Sequence, residues 1–243
     1  MSEDVQREFF EKLARRYDSR FCRSRWPRNQ VAKALLIAEA LGDRVGEGPV
    51  VEIGCGTGQV AAELLKRFPG MRYVGFDLSP GMLSVAKKRL EEFGVRVELS
   101  IAKSGDLPTS PDGYAAAFGI DVLHHVEDPP TLLEQLRSSL RAASPVVFLE
   151  ANPIFPITAL MGVFQREERG VFRIRPANLR GWYAQAGFVN ATVTLGPIYT
   201  PPGPKSIERG LNSVDRLLAK TPAVRNLALF YNARAQVPTR EVA

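Results

Sequence analysis

Two clusters in the 243-residue sequence hold side chains whose types and spacing can do chemistry. The first is Glu52-Ile53-Gly54-Cys55-Gly56-Thr57-Gly58, followed nineteen residues after Gly58 by Asp77. Glycines at alternate positions let a backbone turn tightly and approach a ligand. An acid at the tip of the next strand sits where the ribose hydroxyls of a nucleotide-like cofactor lie. The second is Asp121-Val122-Leu123-His124-His125-Val126, which holds both histidines of the chain. Imidazole is the side chain best suited to take a proton near neutral pH. His124 therefore reads as a candidate base, and His125 as the residue that holds the loop or meets the substrate.

The flanking patterns predict how these clusters are carried. Val50, Val51 and Ile53 form a β-branched run into the glycine turn, and Val60, Leu64, Leu65 and Phe68 then recur at helical spacing until Pro69-Gly70. Tyr73 to Phe76 is a second strand ending in Asp77. Ser79-Pro80 supplies a cap and a first helical residue for a helix to Phe93. Val95, Val97, Leu99 and Ile101 alternate as a third strand, and Tyr114 to Ile120 is a fourth, delivering the histidine loop. A helix over 131–140, a strand over 145–149, a helix over 179–186, a strand over 188–195 and a final strand near 227–233 complete the pattern. Helical stripes over 5–17 and 29–41 precede it. Ligands of such sheets bind beyond the C-terminal strand ends, where both clusters fall.

The glycine spacing bears on the cofactor. A dinucleotide fingerprint has a third glycine where this chain has Gln59, and Glu52 would repel a pyrophosphate while attracting a cation. S-adenosylmethionine carries an ammonium and a sulfonium and no phosphate, which suits that turn. The string from Glu52 to Gly58, with Asp77 downstream and the histidine loop VLHHVEDP, resembles the class I S-adenosylmethionine-dependent methyltransferases, of the small-molecule, type 11-like kind. The resemblance implies an α/β fold, a three-layer α/β/α sandwich with a Rossmann-like, mostly parallel seven-stranded sheet and an antiparallel last strand. It implies cofactor contacts at Tyr17, Glu52, Gly54, Gly56, Gly58, Asp77, Leu78, Met82 and Asp121, with Tyr17 on an N-terminal helix that folds over the cofactor. The family places an acid after the third strand for the adenine amine. Here Lys103 stands there, and a lysine cannot accept, so Ala102 and Lys103 are expected to serve through their backbone or to leave the task to Asp106.

Charge and inserts bear on the acceptor. Residues 1–30 sum to +3 and residues 160–243 to +7, whereas the middle sums to −4. Arg173 and Arg175 alternate with apolar residues in an insert over 152–176, and a second insert over 196–226 carries an apolar helical stripe. With Asn152 beside the last parallel strand, these read as the substrate side of an acceptor that is a small molecule or lipid-like, with an acidic group and a peripheral membrane contact. A nucleic-acid substrate is disfavoured, because the Asn-Pro pair at 152–153 comes one strand later than in base-methylating relatives. Two distant cysteines indicate neither a disulfide framework nor a zinc site, and no metal or obligate protein partner is inferred. The acidic N-terminus and the absence of a long apolar run point to a cytoplasmic protein. The expected organisation is covering helices over 1–44, a transferase domain over 45–236 and a tail over 237–243. Rival readings are a cofactor-binding protein of this fold without catalysis and a nicotinamide-dependent oxidoreductase.

Overall fold

In the computed structural model of the chain, the described residues are 3–21, 27–101, 107, 109–196, 226, 228 and 230–239. Seven strands form one sheet in the order β3-β2-β1-β4-β5-β7-β6. They are β1 (Pro49–Ile53), β2 (Arg72–Asp77), β3 (Val97–Ile101), β4 (Ala116–Ile120), β5 (Pro145–Ala151), β6 (Val189–Leu195) and β7 (Phe230–Gln236). The pairs β1–β2, β1–β4, β2–β3 and β4–β5 are parallel, and β7 lies antiparallel between β5 and β6. The mostly parallel sheet with a reversed last strand is thus present.

Alternation along the central strands divides the core in two. Val50, Ala116, Phe118, Val147 and Leu149 face a layer built by α2 (Pro27–Leu41) and α3 (Gln59–Arg67), where Ile37, Leu41, Leu64 and Leu65 are buried. Val51, Ile53, Ala117, Val146 and Phe148 face α5 (Pro129–Ser138) and α7 (Pro176–Gln185), which contribute Leu132, Leu136, Leu179 and Tyr183. These strands are buried on both faces, as parallel strands under helices must be.

Two further helices frame the ligand edge. On α4 (Pro80–Leu90), the Ser79 hydroxyl accepts from the Met82 N–H at 3.1 Å and Pro80 occupies the first turn, as its sequence predicts. The helix ends at Leu90, and a 3-10 segment (Glu91–Arg96) continues past Phe93. The N-terminal α1 (Glu3–Phe21) is outside the sheet layers and is held from the other side of the ligand edge. Glu11 accepts from the Ser79 hydroxyl and the Gly81 N–H, both at 2.7 Å. Asp18 accepts from Thr57 Oγ1 at 2.8 Å and Gln59 Nε2 at 2.7 Å, and pairs with Arg89.

The insert after β5 forms α6 (Pro156–Phe164) and a 3-10 segment (Arg166–Arg173). Leu160, Val163 and Phe164 of α6 are exposed. The predicted apolar helix exists, but none of its described side chains lines the cavity described below. Most of the second insert (197–225), its predicted helix and the chain end from 240 lie outside the described residues.

Candidate active site

The parallel strands β1, β2 and β4 end on one edge, at the place where strand order reverses between β1 and β4. A cleft opens there, lined by residues of the strand ends, helix α1 and the histidine loop. Its floor comes from those strand ends: Ile53 and Gly54, Asp77 and Leu78, then Ile120, Asp121 and Val122. Gly54 is required twice over. Its φ of +69° is a left-handed conformation, and a Cβ there would lie 2.7 Å from Val122 Cγ2.

Asp77 organises this floor. One carboxylate oxygen accepts from the Gly56 N–H at 2.8 Å and the other from the Ser79 N–H at 2.9 Å, so the acid ties the glycine turn to the start of α4. The Leu78 N–H also bonds this carboxylate, and the three donors leave acceptor capacity on it for a ligand hydroxyl. Burial pushes the Asp77 carboxyl above its ordinary value, and the backbone N–H groups oppose that push. Met82 and Tyr17 also line the cleft, as expected. Gly56 and Gly58 shape it without lining it: Gly56 donates to Asp77, and Gly58 starts α3 with its α-carbon packed under Leu90.

Helix α1 forms the roof, through Gln6, Phe10 and Tyr17. The far wall is apolar, with Leu107, Val126 and Leu132, and its polar member is His125. Phe10 meets the His125 ring edge-on at 5.1 Å. Asp121, held at φ +53°, receives the Lys33 ammonium at 2.8 Å. Backbone strain of this kind gathers at ligand sites. Among the described residues, the cleft walls carry no lysine or arginine.

The histidine loop corrects the expected roles. His124 is buried and absent from the cleft. Its Nδ1 lies 2.8 Å from Glu150 Oε2, and its Nε2 lies 3.4 Å from Glu168 Oε2. Burial alone would lower its pKa, but the hydrogen bonds and charges of Glu150 and Glu168 outweigh burial and raise it to about 10. With both ring nitrogens turned to carboxylates and the ring buried outside the cleft, His124 is not placed to take a proton from an acceptor there, so the expected catalytic role does not fit its position. Half-buried His125 takes the place in the cleft wall instead. Burial, then the charge of His124, push its pKa well below the ordinary value, leaving a neutral ring in the cleft wall. Glu150 fixes the loop, accepting also from the Val122 and Leu123 N–H groups at 3.0 and 2.7 Å.

Other expected contacts prove structural. Glu52 is buried beneath the glycine turn, absent from the cleft, and accepts from the Tyr73 hydroxyl. Burial raises its pKa to about 8, so at neutral pH it carries no charge with which to attract a cation. Asn152 is also buried away from the cleft. Its Nδ2 donates to the Asn226 and Ala228 carbonyls at 2.9 and 2.8 Å, which pins the approach to β7. Arg173 spends its guanidinium on the carbonyls of Glu127, His124 and Val126, riveting the insert to the histidine loop. Arg175 precedes α7, is exposed and does not line the cleft. Ala102 and Lys103 lie outside the described residues.

The sequence does not mark the roof residues Gln6 and Phe10, the acids Glu11 and Asp18 that hold α1 in place, or the ion pair of Lys33 with Asp121. Glu11, Ala14 and Asp18 lie three, four and seven residues apart, on one helical face. Acids flanking a buried small residue in that way were a signal that the face packs onto something rich in donors.

A family model described as a methyltransferase domain matches residues 50–143. A ubiquinone biosynthesis O-methyltransferase of Stutzerimonas stutzeri is 28% identical over 162 residues, covering 63% of this chain and 68% of that protein. A ubiquinone/menaquinone biosynthesis C-methyltransferase, UbiE, of Desulfotalea psychrophila is 30% identical over 153 residues, covering 60% and 58%. The phosphoethanolamine N-methyltransferase 2 of Haemonchus contortus, solved with S-adenosyl-L-methionine, shares the fold with a TM-score of 0.62 at 18% identity. That match covers 86% of this chain and 52% of the solved one, so the chain spans about half its length.

Proposed function

We propose that this chain, which belongs to the class I S-adenosylmethionine-dependent methyltransferases, methylates a small, largely apolar acceptor of the quinone-precursor class. S-adenosylmethionine is its cofactor, and it supplies a methyl group on a sulfonium already activated for displacement. Alignment and exclusion of water are then the main tasks left to the protein.

The observation that carries this reading is the composition of the cleft walls. On the cofactor side, Gly54 allows close backbone approach and Asp77 keeps lone pairs for hydroxyls, with Leu78 and Met82 as apolar contacts. On the acceptor side, Phe10, Leu107, Val126 and Leu132 offer apolar surface, and His125 offers one hydrogen-bonding ring. Helix α1 closes the cleft from above, through Glu11 and Asp18. Relatives that act in ubiquinone and menaquinone biosynthesis support an apolar acceptor. The acidic group expected on the acceptor is dropped from this reading, because Arg173 is engaged and the described cleft walls hold no cation.

The test is turnover of isotope-labelled cofactor against ring hydroxyls with alkyl tails of increasing length. Each buried methylene contributes about 0.8 kcal/mol, so the Michaelis constant should fall about fourfold per carbon until the cleft is filled. Equal constants for all tails, or a preference for polar carboxylates, would refute the reading.

A further inference from the structure

The geometry points to a divalent transition-metal site, of the zinc class, formed by His124, His125 and Glu168 at the wall of the cleft. Each residue offers one donor atom, and the three donors lie within 4.8 Å of one another. The histidines come from the loop after β4 and the glutamate from the 3-10 segment of the insert.

Three features separate this cluster from an ordinary ion pair. First, His124 Nε2 and Glu168 Oε2 are 3.4 Å apart. A charge-assisted hydrogen bond is usually 2.7–2.9 Å long, whereas two ligands about 2.1 Å from one tetrahedral ion sit about 3.4 Å apart. Second, both rings have the outer partner that metal-binding imidazoles use. His124 turns Nδ1 to Glu150 at 2.8 Å, and Glu150 is itself held by two backbone N–H groups. His125 bonds the backbone carbonyl of Glu167. Such partners fix the tautomer and ring direction, leaving the other nitrogen for a metal. Third, His125 Nδ1 is buried and has no hydrogen-bond partner among the described residues, so the bond to Glu167 uses Nε2 and an acceptor is left over. A buried acceptor beside two potential ligands calls for a partner, and a shared cation would supply one to all three.

Two imidazoles and a carboxylate suit zinc, cobalt or iron(II) better than magnesium or calcium. Three protein ligands leave a coordination position open. Since His125 also lines the cleft, an acceptor oxygen is the natural further donor.

The experiment uses the full chain, stripped with a chelator and titrated with Co²⁺ by visible absorption and with Zn²⁺ by calorimetry. One ion per chain is expected. Glu168→Gln and His125→Gln should each weaken binding at least tenfold, as should the outer-partner change Glu150→Gln. Circular dichroism checks that each variant is folded, and Glu168→Gln guards against a misfolded histidine variant. Cofactor affinity should be unchanged in Glu168→Gln, so failure here would not touch the cofactor assignment. The proposal is overturned if no stoichiometric ion binds, or if the folded variants bind as well as wild type. It is also overturned if nitrogen NMR with Zn²⁺ present shows His124 still carrying both ring protons, shared between Glu150 and Glu168.

Discussion

Glu52→Gln should stabilise the ligand-free protein, and the gain should grow with pH. Glu52 is 3% exposed, and its midpoint is raised from 4.5 to about 8 by burial, with the nearby Asp77 charge adding to the shift and the Tyr73 hydroxyl opposing it. Below pH 4.5 the carboxyl is protonated in both the folded and unfolded chain, and its titration costs nothing. Between 4.5 and 8 only the unfolded chain loses the proton, so folding stability falls by about 1.4 kcal/mol per pH unit. From pH 5 to pH 8 that amounts to roughly 4 kcal/mol, a large share of a typical domain's total. Glutamine copies the shape of the protonated acid and still accepts from Tyr73, but it cannot ionise. Urea unfolding at pH 5, 6, 7, 8 and 9 should give a wild-type minus variant difference that widens over three units and levels off above 8. A difference that stays flat within about 1 kcal/mol from pH 5 to 9 would show that the carboxyl is not held neutral, and the account of this turn would fail.

Asp77→Ala removes the acceptor that joins Gly56 to Ser79; cofactor affinity measured by calorimetry should fall tenfold or more, since a charge-assisted hydrogen bond is worth about 1.5–3 kcal/mol. Gly170→Ala would place a Cβ 1.7 Å from the His124 carbonyl oxygen; thermal unfolding should show a loss of about 1–3 kcal/mol as the insert is pushed off the loop. Arg173→Gln should lower stability and disturb turnover together, because it frees three loop carbonyls. Arg175→Gln should be silent in both assays, and a tenfold rise in the acceptor's Michaelis constant would restore an acidic acceptor.

The sheet was legible because β1, β2, β4 and β5 are apolar runs bounded by glycine, proline or acid, which is how strands buried on both faces read. Helix starts were legible only where an apolar stripe began with the cap. Ser79-Pro80 marks a start, whereas the pattern places the start of α5 at Thr131 and misses Asp128-Pro129, although Asp128 caps Thr131 through both backbone and hydroxyl. The same happened at Pro176, where α7 begins three residues before Leu179, its first deeply buried residue. Periodicity marks the face a helix buries, and a first turn with no apolar residue leaves no mark.

Neighbours in one loop defeat sequence reasoning for a different reason. His124 and His125 share a sequence environment and differ only in where the chain points them. The His125 N–H closes a turn on the Val122 carbonyl at 3.0 Å, which sends one ring toward the cleft and the other beneath it. What then distinguishes their chemistry is supplied from far along the chain, by Glu150 at the end of β5 and Glu168 in the insert. Glu150 orients His124, and its two further bonds to the loop backbone are invisible before the sheet brings β4 and β5 together. The consequence is a division of labour. The buried histidine couples the insert to the sheet, and Arg173 and Gly170 hold the same contact from the insert's side. The cleft histidine is thereby positioned by groups that do not line the cleft, so changes at Glu150 or Glu168 should alter acceptor handling before they alter cofactor binding, which we propose rests on Gly54 and Asp77.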